Sequence, residues 1–324
     1  MQKNPKEPSG VFPRFRQLSF LSFSVTLLSA LSMLIALSFG LFKEGTTTIV
    51  MLMIVTLVGV FSSFLVLAGT AYYRSPTPLV VSLLGFPASG KTVFITVLFD
   101  ELQIREISGI RFAPYGEETV EQVGRSLSVL SQGRWLEPTH KTELVFYRAQ
   151  VSIGSGLFPS RFKLEIADSA GEHVYEFTPD SDKWLHKTQY FKQVIQSDAL
   201  LICVDTEFLL GREDWAIEDA QNRLIAAFQI FAQEKGVPPE KRMKTPVALL
   251  FLKADLINGQ ELLEHPIEEK MWRLENICRS RCREFKVFFT SSVGKLGEDG
   301  SPPRRRQPFG VTEPIVWVLK TVSE

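Results

Sequence analysis

The sequence predicts an α/β fold, a mostly parallel sheet with helices on both faces, preceded by a two-helix transmembrane hairpin. Three observations carry that prediction. Two runs free of Asp, Glu, Lys and Arg, 17–42 and 45–73, lie in the first part of the 324-residue chain. Beyond them, short β-branched apolar runs alternate with amphipathic stretches, the pattern of strands linked by helices. Between the first such strand and the first such helix stands Gly85-Phe86-Pro87-Ala88-Ser89-Gly90-Lys91-Thr92, which has the spacing GxxxxGK followed by Ser or Thr.

Residues 1–17 are polar, with Lys3, Lys6, Arg14 and Arg16 against the single Glu7. The hairpin is expected over 18–73, with spans at about 18–42 and 47–73. Each span exceeds the roughly 20 apolar residues a bilayer needs. A cleaved signal peptide would have a shorter apolar core and no second span so close behind it. Basic residues precede the first span, Arg74 follows the second, and Lys43 and Glu44 cancel in the connection, so both chain ends are expected in the cytoplasm. Tyr72 and Tyr73 sit where an interfacial aromatic belt would be. Ser32, Ala36 and Gly40 on the first span, and Gly59 and Ser63 on the second, repeat a spacing of four that permits close helix contact. Residues 74–78, Arg-Ser-Pro-Thr-Pro, read as a short stiff linker, and 79–324 as one soluble domain.

Lys plus Arg and Asp plus Glu both number 36, so no global basic surface argues for nucleic acid as a partner. Cys203, Cys278 and Cys282 are too few for a disulfide framework and fit a reducing compartment. Cys278 and Cys282 are four apart in a helix-like stretch, but no nearby His or Cys completes a zinc set, and they read as two half-buried thiols.

Leu79 to Leu84 is apolar enough for a buried strand, and Thr92 to Leu102 follows as a helix. Gly85 and Gly90 let the backbone wrap a phosphate, with Ala88 and Ser89 in the same loop, while Lys91 reaches the outer phosphate oxygens and Thr92 offers a hydroxyl to Mg2+. A second helix is expected over Glu117 to Gln132, then a loop, then two strands, Leu144 to Ile153 and Arg161 to Ile166, paired as an antiparallel hairpin. The second strand runs into Asp168-Ser169-Ala170-Gly171-Glu172-His173, where an aspartate at a strand tip can hold the metal through water and Gly171 lets a backbone N–H approach the γ-phosphate. Later strands are expected at Leu200 to Val204, Val247 to Phe251 and Val287 to Phe289, and helices at Trp215 to Lys235, 259–284 and Val311 to Val322.

In this order the landmarks resemble the Ras-like, translation-factor-related class of P-loop GTPases. Gly85 to Thr92 matches the first motif of that class and Asp168 to Gly171 the third. Leu252 to Asp255 looks like a departed Asn/Thr-Lys-x-Asp base motif, and Thr290-Ser291-Ser292 is similar to the fifth motif. The anchor ahead of the domain is similar to that of the signal-recognition-particle receptor beta subunit, whereas the Asp-x-Ala-Gly-Glu form of the third motif looks closer to bacterial double-GTPases. The resemblance implies GTP and GDP as ligands with Mg2+, a lipid bilayer (a bacterial inner membrane) as location, and an unidentified protein effector. It implies that Asp255 reads the guanine N1 and N2 hydrogens, that the Lys253 stem lies against the base, and that Ser291 or Ser292 offers a backbone N–H to the guanine oxygen. Leu252 stands where relatives have Asn or Thr. The switch threonine is expected at Thr139 or Thr142, with Thr139 preferred, and an insertion is expected around 105–135.

Ras-like enzymes orient the attacking water with a glutamine after the third-motif glycine; this chain has Glu172, then His173. A glutamate there adds negative charge near the γ-phosphate, so hydrolysis is expected to be slow unless a partner or a second copy in a homodimer supplies a cation. Arg304-Arg305-Arg306 reads as a solvated loop, with lipid contact or supply of that cation as the alternatives. Three functions fit: a membrane-anchored GTPase switch, a GTP-binding docking scaffold without turnover, and a P-loop ATPase or kinase.

Overall fold

A computed structural model of the chain describes residues 56–64, 76–104, 106–137, 144–154, 159–169, 189–257 and 269–323. The chain divides into two compact units, Met1–Ser75 with Gly154–Pro159, and Pro76–Ile153 with Ser160–Glu324. In the first unit, 56–64 is helical, and the Ser62 and Ser63 hydroxyls donate back to the Gly59 carbonyl at 3.0 and 2.8 Å. Among the described residues no helix is long and apolar enough to cross a membrane. The rest of the expected hairpin and residues 74 and 75 of the linker lie outside them.

The second unit is built on β1 (Thr77–Gly85), α1 (Lys91–Ile104), β2 (Ile110–Pro114), α2 (Glu117–Ser131), β3 (Leu144–Ile153), β4 (Ser160–Ser169), α3 (Gln189–Gln196), β5 (Ala199–Asp205), α4 (Thr206–Gly211), α5 (Asp214–Glu234), β6 (Val247–Leu252), α6 (Trp272–Arg281), β7 (Phe285–Phe289) and α7 (Glu313–Ser323). The strands form one sheet in the order β2-β3-β4-β1-β5-β6-β7. β4, β1, β5, β6 and β7 run parallel, and β2-β3-β4 is an antiparallel meander on one flank.

Alternation along the central strands splits the core in two, because successive side chains point to opposite faces. Leu79, Val81 and Leu83, with Leu201, Cys203, Leu250 and Leu252, face α1, α2 and α7 through Phe94, Phe99, Val123, Ile315 and Leu319. Leu84, Leu200, Ile202, Val204, Leu249 and Phe251 face α3, α5 and α6 through Phe191, Phe228, Phe231 and Leu274. Asp198 fixes the central register: its N–H donates to the Val80 carbonyl at 2.7 Å and its carboxylate accepts the Val80 N–H at 2.9 Å.

The stretch 105–135, where an insertion is expected, holds an edge strand, β2, as well as α2; Phe112 of β2 meets Phe99 edge-on, ring centroids 4.9 Å apart. Three expectations need correction. The helix expected to run to 284 ends at Arg281, because Cys282 turns to an extended backbone (φ −103°, ψ 148°) and the chain pairs with Met243, whose carbonyl accepts the Arg283 N–H at 2.9 Å. Asp168 is not the tip of its strand, since β4 runs on to Ser169. Cys278 and Cys282 are buried rather than half-buried, Cys203 is buried too, all three are free, and burial pushes the Cys203 and Cys282 thiols up to about 12.

Candidate nucleotide site

The C-terminal ends of the parallel strands gather the predicted residues along one edge, where ligands of open α/β sheets sit. β1 ends at Gly85, beside Cys203 of β5. A Cβ on Gly85 would lie 2.5 Å from the Cys203 carbonyl oxygen, so the approach of two strands requires a glycine here. Gly90 does hold the left-handed turn of the loop, with φ +93°, and Ala88 shares that region at φ +57°. Ser89 is buried and donates to the Phe86 carbonyl at 2.8 Å.

Lys91 opens α1 and folds back into the loop, donating to the Phe86 carbonyl at 2.7 Å and the Gly85 carbonyl at 3.1 Å. Burial lowers the pKa of its ammonium, against an opposing pull from Asp168. The Thr92 hydroxyl donates to Asp168 across the β1–β4 pair at 2.7 Å, and Asp168 is fully buried. A hydroxyl and a carboxylate held this close are the hard oxygen donors that suit Mg2+.

The base loop leaves β6 by a residue in the left-handed region, Lys253 at φ +59°, followed by a 3-10 turn, Ala254–Ile257. The Ala254 N–H donates to the Thr290 carbonyl at 3.0 Å and the Thr290 N–H to the Phe251 carbonyl at 2.9 Å, so the loops after β6 and β7 are bolted together. Asp255 accepts the Ser291 hydroxyl at 2.5 Å, which brings two expected base readers into contact. The Ser291 N–H, however, donates to the Phe309 carbonyl at 2.9 Å. Of the two serines expected to offer an N–H to a base oxygen, that leaves Ser292.

Lys253 joins the two halves of the edge. Its Cε lies 3.9 Å from where a side chain on Gly90 would begin, and its ammonium donates to Asp205 and Glu207, both at 2.8 Å. Burial would lower the Lys253 pKa, but the two carboxylates outweigh it and raise the value. Asp205 also accepts the Glu207 N–H at 3.0 Å, capping α4. Asp205 directly follows the strand expected at Leu200 to Val204, and the sequence alone assigns it no role. An acid at the tip of a strand adjoining β1, the argument applied to Asp168, would have found it. Leu252 is buried with Leu250 and Phe288 in the core. Arg306 is no freely solvated side chain: it pairs with Asp100 at 2.7 Å, whereas Arg304 and Arg305 are exposed. Thr139, Thr142, Gly171, Glu172 and His173 lie outside the described residues.

No curated protein sequence matches the chain. Among solved structures it is similar to nucleolar GTP-binding protein 1 of Plasmodium falciparum, with 12% identity, a TM-score of 0.39, and coverage of 78% of this chain and 89% of that one. It is likewise similar to the Arl6 small GTPase of Trypanosoma brucei with bound GppNp, with 13% identity, a TM-score of 0.39, and coverage of 76% and 98%. Residues 79–294, two thirds of the chain, match the sequence pattern of the family described as Double-GTPase 2. The span runs from β1 through both base loops, and the chain belongs to that family of P-loop GTPases, whose ligand is a guanine nucleotide.

Proposed function

We propose that this chain is a membrane-anchored GTP-binding switch that hydrolyses GTP slowly. The observation that carries the reading is the union of two loops on one sheet edge, a phosphate loop with Lys91 folded into it and a base loop in which Asp255 is held by Ser291. On this reading the loop N–H groups of Gly85, Ala88, Ser89 and Gly90 surround the phosphates, and Lys91 exchanges its contacts to the loop carbonyls for phosphate oxygens. Asp255 accepts the two guanine donors, and Ser292 meets the guanine oxygen. Adenine offers an acceptor at N1, which would leave Asp255 unpaired, so GTP is favoured over ATP.

Thr92 and Asp168 are the proposed Mg2+ residues, with Thr139 as the switch threonine. The ion would neutralise charge on the β and γ oxygens. Glu172 and His173 are the proposed groups that orient the attacking water, next to the N–H of Gly171. The carboxylate of Glu172 repels the developing γ-phosphate charge, which makes turnover slow until an effector or a second copy of the chain brings a cation.

The membrane anchor rests on the two charge-free runs and on 56–64, which is uncharged and leaves Leu57 73% and Phe61 62% exposed. Full-length protein in micelles, titrated with GTP, GDP, ATP and ADP in Mg2+, tests the nucleotide reading. Tight GTP and GDP binding is expected, and a preference for ATP overturns it. Single-turnover hydrolysis then separates a switch from a docking scaffold without turnover.

A further inference from the structure

At the end of the sheet opposite the nucleotide edge, a cleft of about 510 Å3 opens over β2, β3 and β4, beside Pro76 at the start of β1. Its chemistry follows from register. Arg111, Ser152 and Arg161 stand directly opposite one another across the three strands, and Gln150 stands opposite Lys163. Cross-strand partners share a face, so these five side chains lie together, while Phe112, Val151 and Phe162 of the intervening row pack against the core and also border the cleft. Two strand spacings put Arg111 and Arg161 about 10 Å apart, and Lys163 is about 7 Å along β4 from Arg161. Three cations, an amide and a hydroxyl thus line the cleft, and no carboxylate is among the described lining residues. Arg111 pairs with Glu106 at 3.2 Å, in a pair open to solvent.

We infer that this cleft binds the phosphate headgroup of an anionic membrane lipid. The inference rests on the membrane-anchor reading above, because the choice of lipid over a soluble anion comes from chain connectivity. Pro76 follows the second charge-free run by two residues, Arg74 and Ser75. A bilayer surface with anionic lipids attracts clustered Lys and Arg. β1 spans nine residues from this end to the phosphate loop, so a headgroup and a nucleotide occupy opposite ends of the same strand.

Native mass spectrometry of the full-length protein in micelles, titrated with phosphatidylglycerol or phosphatidylcholine, tests the inference. One phosphatidylglycerol per chain is expected to bind at least about tenfold more tightly than phosphatidylcholine. The triple variant Arg111→Gln, Arg161→Gln, Lys163→Gln is expected to lose that preference while keeping GTP binding, and Lys320→Gln on α7 to keep both. Equal binding of the two lipids, or a preference that survives in the triple variant, overturns the inference. Displacement of the lipid by equimolar inorganic phosphate identifies a soluble-anion site and overturns it as well. Flotation on phosphatidylcholine vesicles tests the anchor separately: a chain that stays out of the vesicles overturns the anchor and the lipid assignment together, and one that floats but shows no headgroup preference overturns the cleft alone.

Discussion

The phosphate loop and the base loop each follow a parallel strand and each contain a left-handed residue, yet they are held in different ways. The phosphate loop is self-contained: Lys91 bonds the carbonyls of Gly85 and Phe86, and Ser89 bonds Phe86, all within seven residues. The base loop is held from a distance. Lys253 is fixed by Asp205 and Glu207 of the preceding βα unit, Asp255 by Ser291, and Ala254 by Thr290. On the proposed reading a local motif specifies where phosphate goes, whereas base recognition depends on three chain segments meeting. Leu252 fits that account. The position has gone to the apolar core, and the Lys253 Cε lies 3.9 Å from where a side chain on Gly90 of the phosphate loop would begin.

The largest effect is expected at the base loop. Asp255→Asn keeps the shape and the contact to Ser291 but replaces an acceptor pair by an acceptor and a donor. Xanthine presents a donor and an acceptor to that amide, so preference should swing from GTP toward XTP by about 10²-fold or more. Competition between GTP, XTP and ATP reads it. A variant that keeps its GTP preference removes Asp255 from base recognition and breaks the contrast between the loops.

At the phosphate loop, Lys91→Ala removes the buried cation. A charge-assisted hydrogen bond is worth about 1.5–3 kcal/mol, so loss of two corresponds to about 10²-fold or more weaker binding of GTP and GDP alike. Calorimetry on full-length protein checks it, with the GTP to XTP ratio as the second readout. That ratio should not move. If it does, the two loops are not separable in function.

How legible the chain was follows the same divide. The contiguous signals, the GxxxxGK spacing and the hydrophobic runs of β1, β5 and β6, could be read directly, because a fully buried parallel strand is apolar on both faces. The Leu144–Ile153 and Ser160–Ser169 hairpin was readable from its turn residues. β2 was not: it has five residues, only Ile110 is buried, and Pro114 ends it as befits an edge. At the site, Asp255 and Ser291 were legible as separate motifs. The pairing of Lys253 with Asp205 and Glu207, and the capture of the Ser291 N–H by Phe309, depend on contacts between residues 18 to 48 positions apart, which no local pattern encodes.

Asp205 should matter more than its exposed neighbour. It is 17% exposed, holds Lys253, and caps α4 through the Glu207 N–H. Asp205→Ala removes a helix cap, about 1 kcal/mol, and leaves Lys253 with Glu207 as its remaining partner. A stability loss of about 1–3 kcal/mol in urea unfolding is expected, with a weaker hold on guanine and triphosphate together because Lys253 touches both loops. Unchanged GTP affinity would mean that Lys253 keeps its place without the acid.

The smallest effect belongs to Glu207→Gln, and it sharpens the comparison because the distance to Lys253 is the same as for Asp205. Glu207 is 67% exposed, and water and salt screen such a pair to about 0–1 kcal/mol. GTP affinity should change by less than about fivefold. The sign with pH also differs from that of a carboxylate-driven device. The Lys253 pKa is raised, so its contribution is complete below the ordinary lysine value of about 10.4 and fades only as pH rises through the higher folded value. Between pH 6 and pH 9, roughly, GTP affinity of the wild type and of Glu207→Gln should run parallel. Isotherms at low and high salt across that window decide it. Curves that diverge with pH, or a loss as large as that of Asp205→Ala, would show that equal distance outweighs burial at this lysine, and the base loop would then be held by its exposed partner as much as by its buried one.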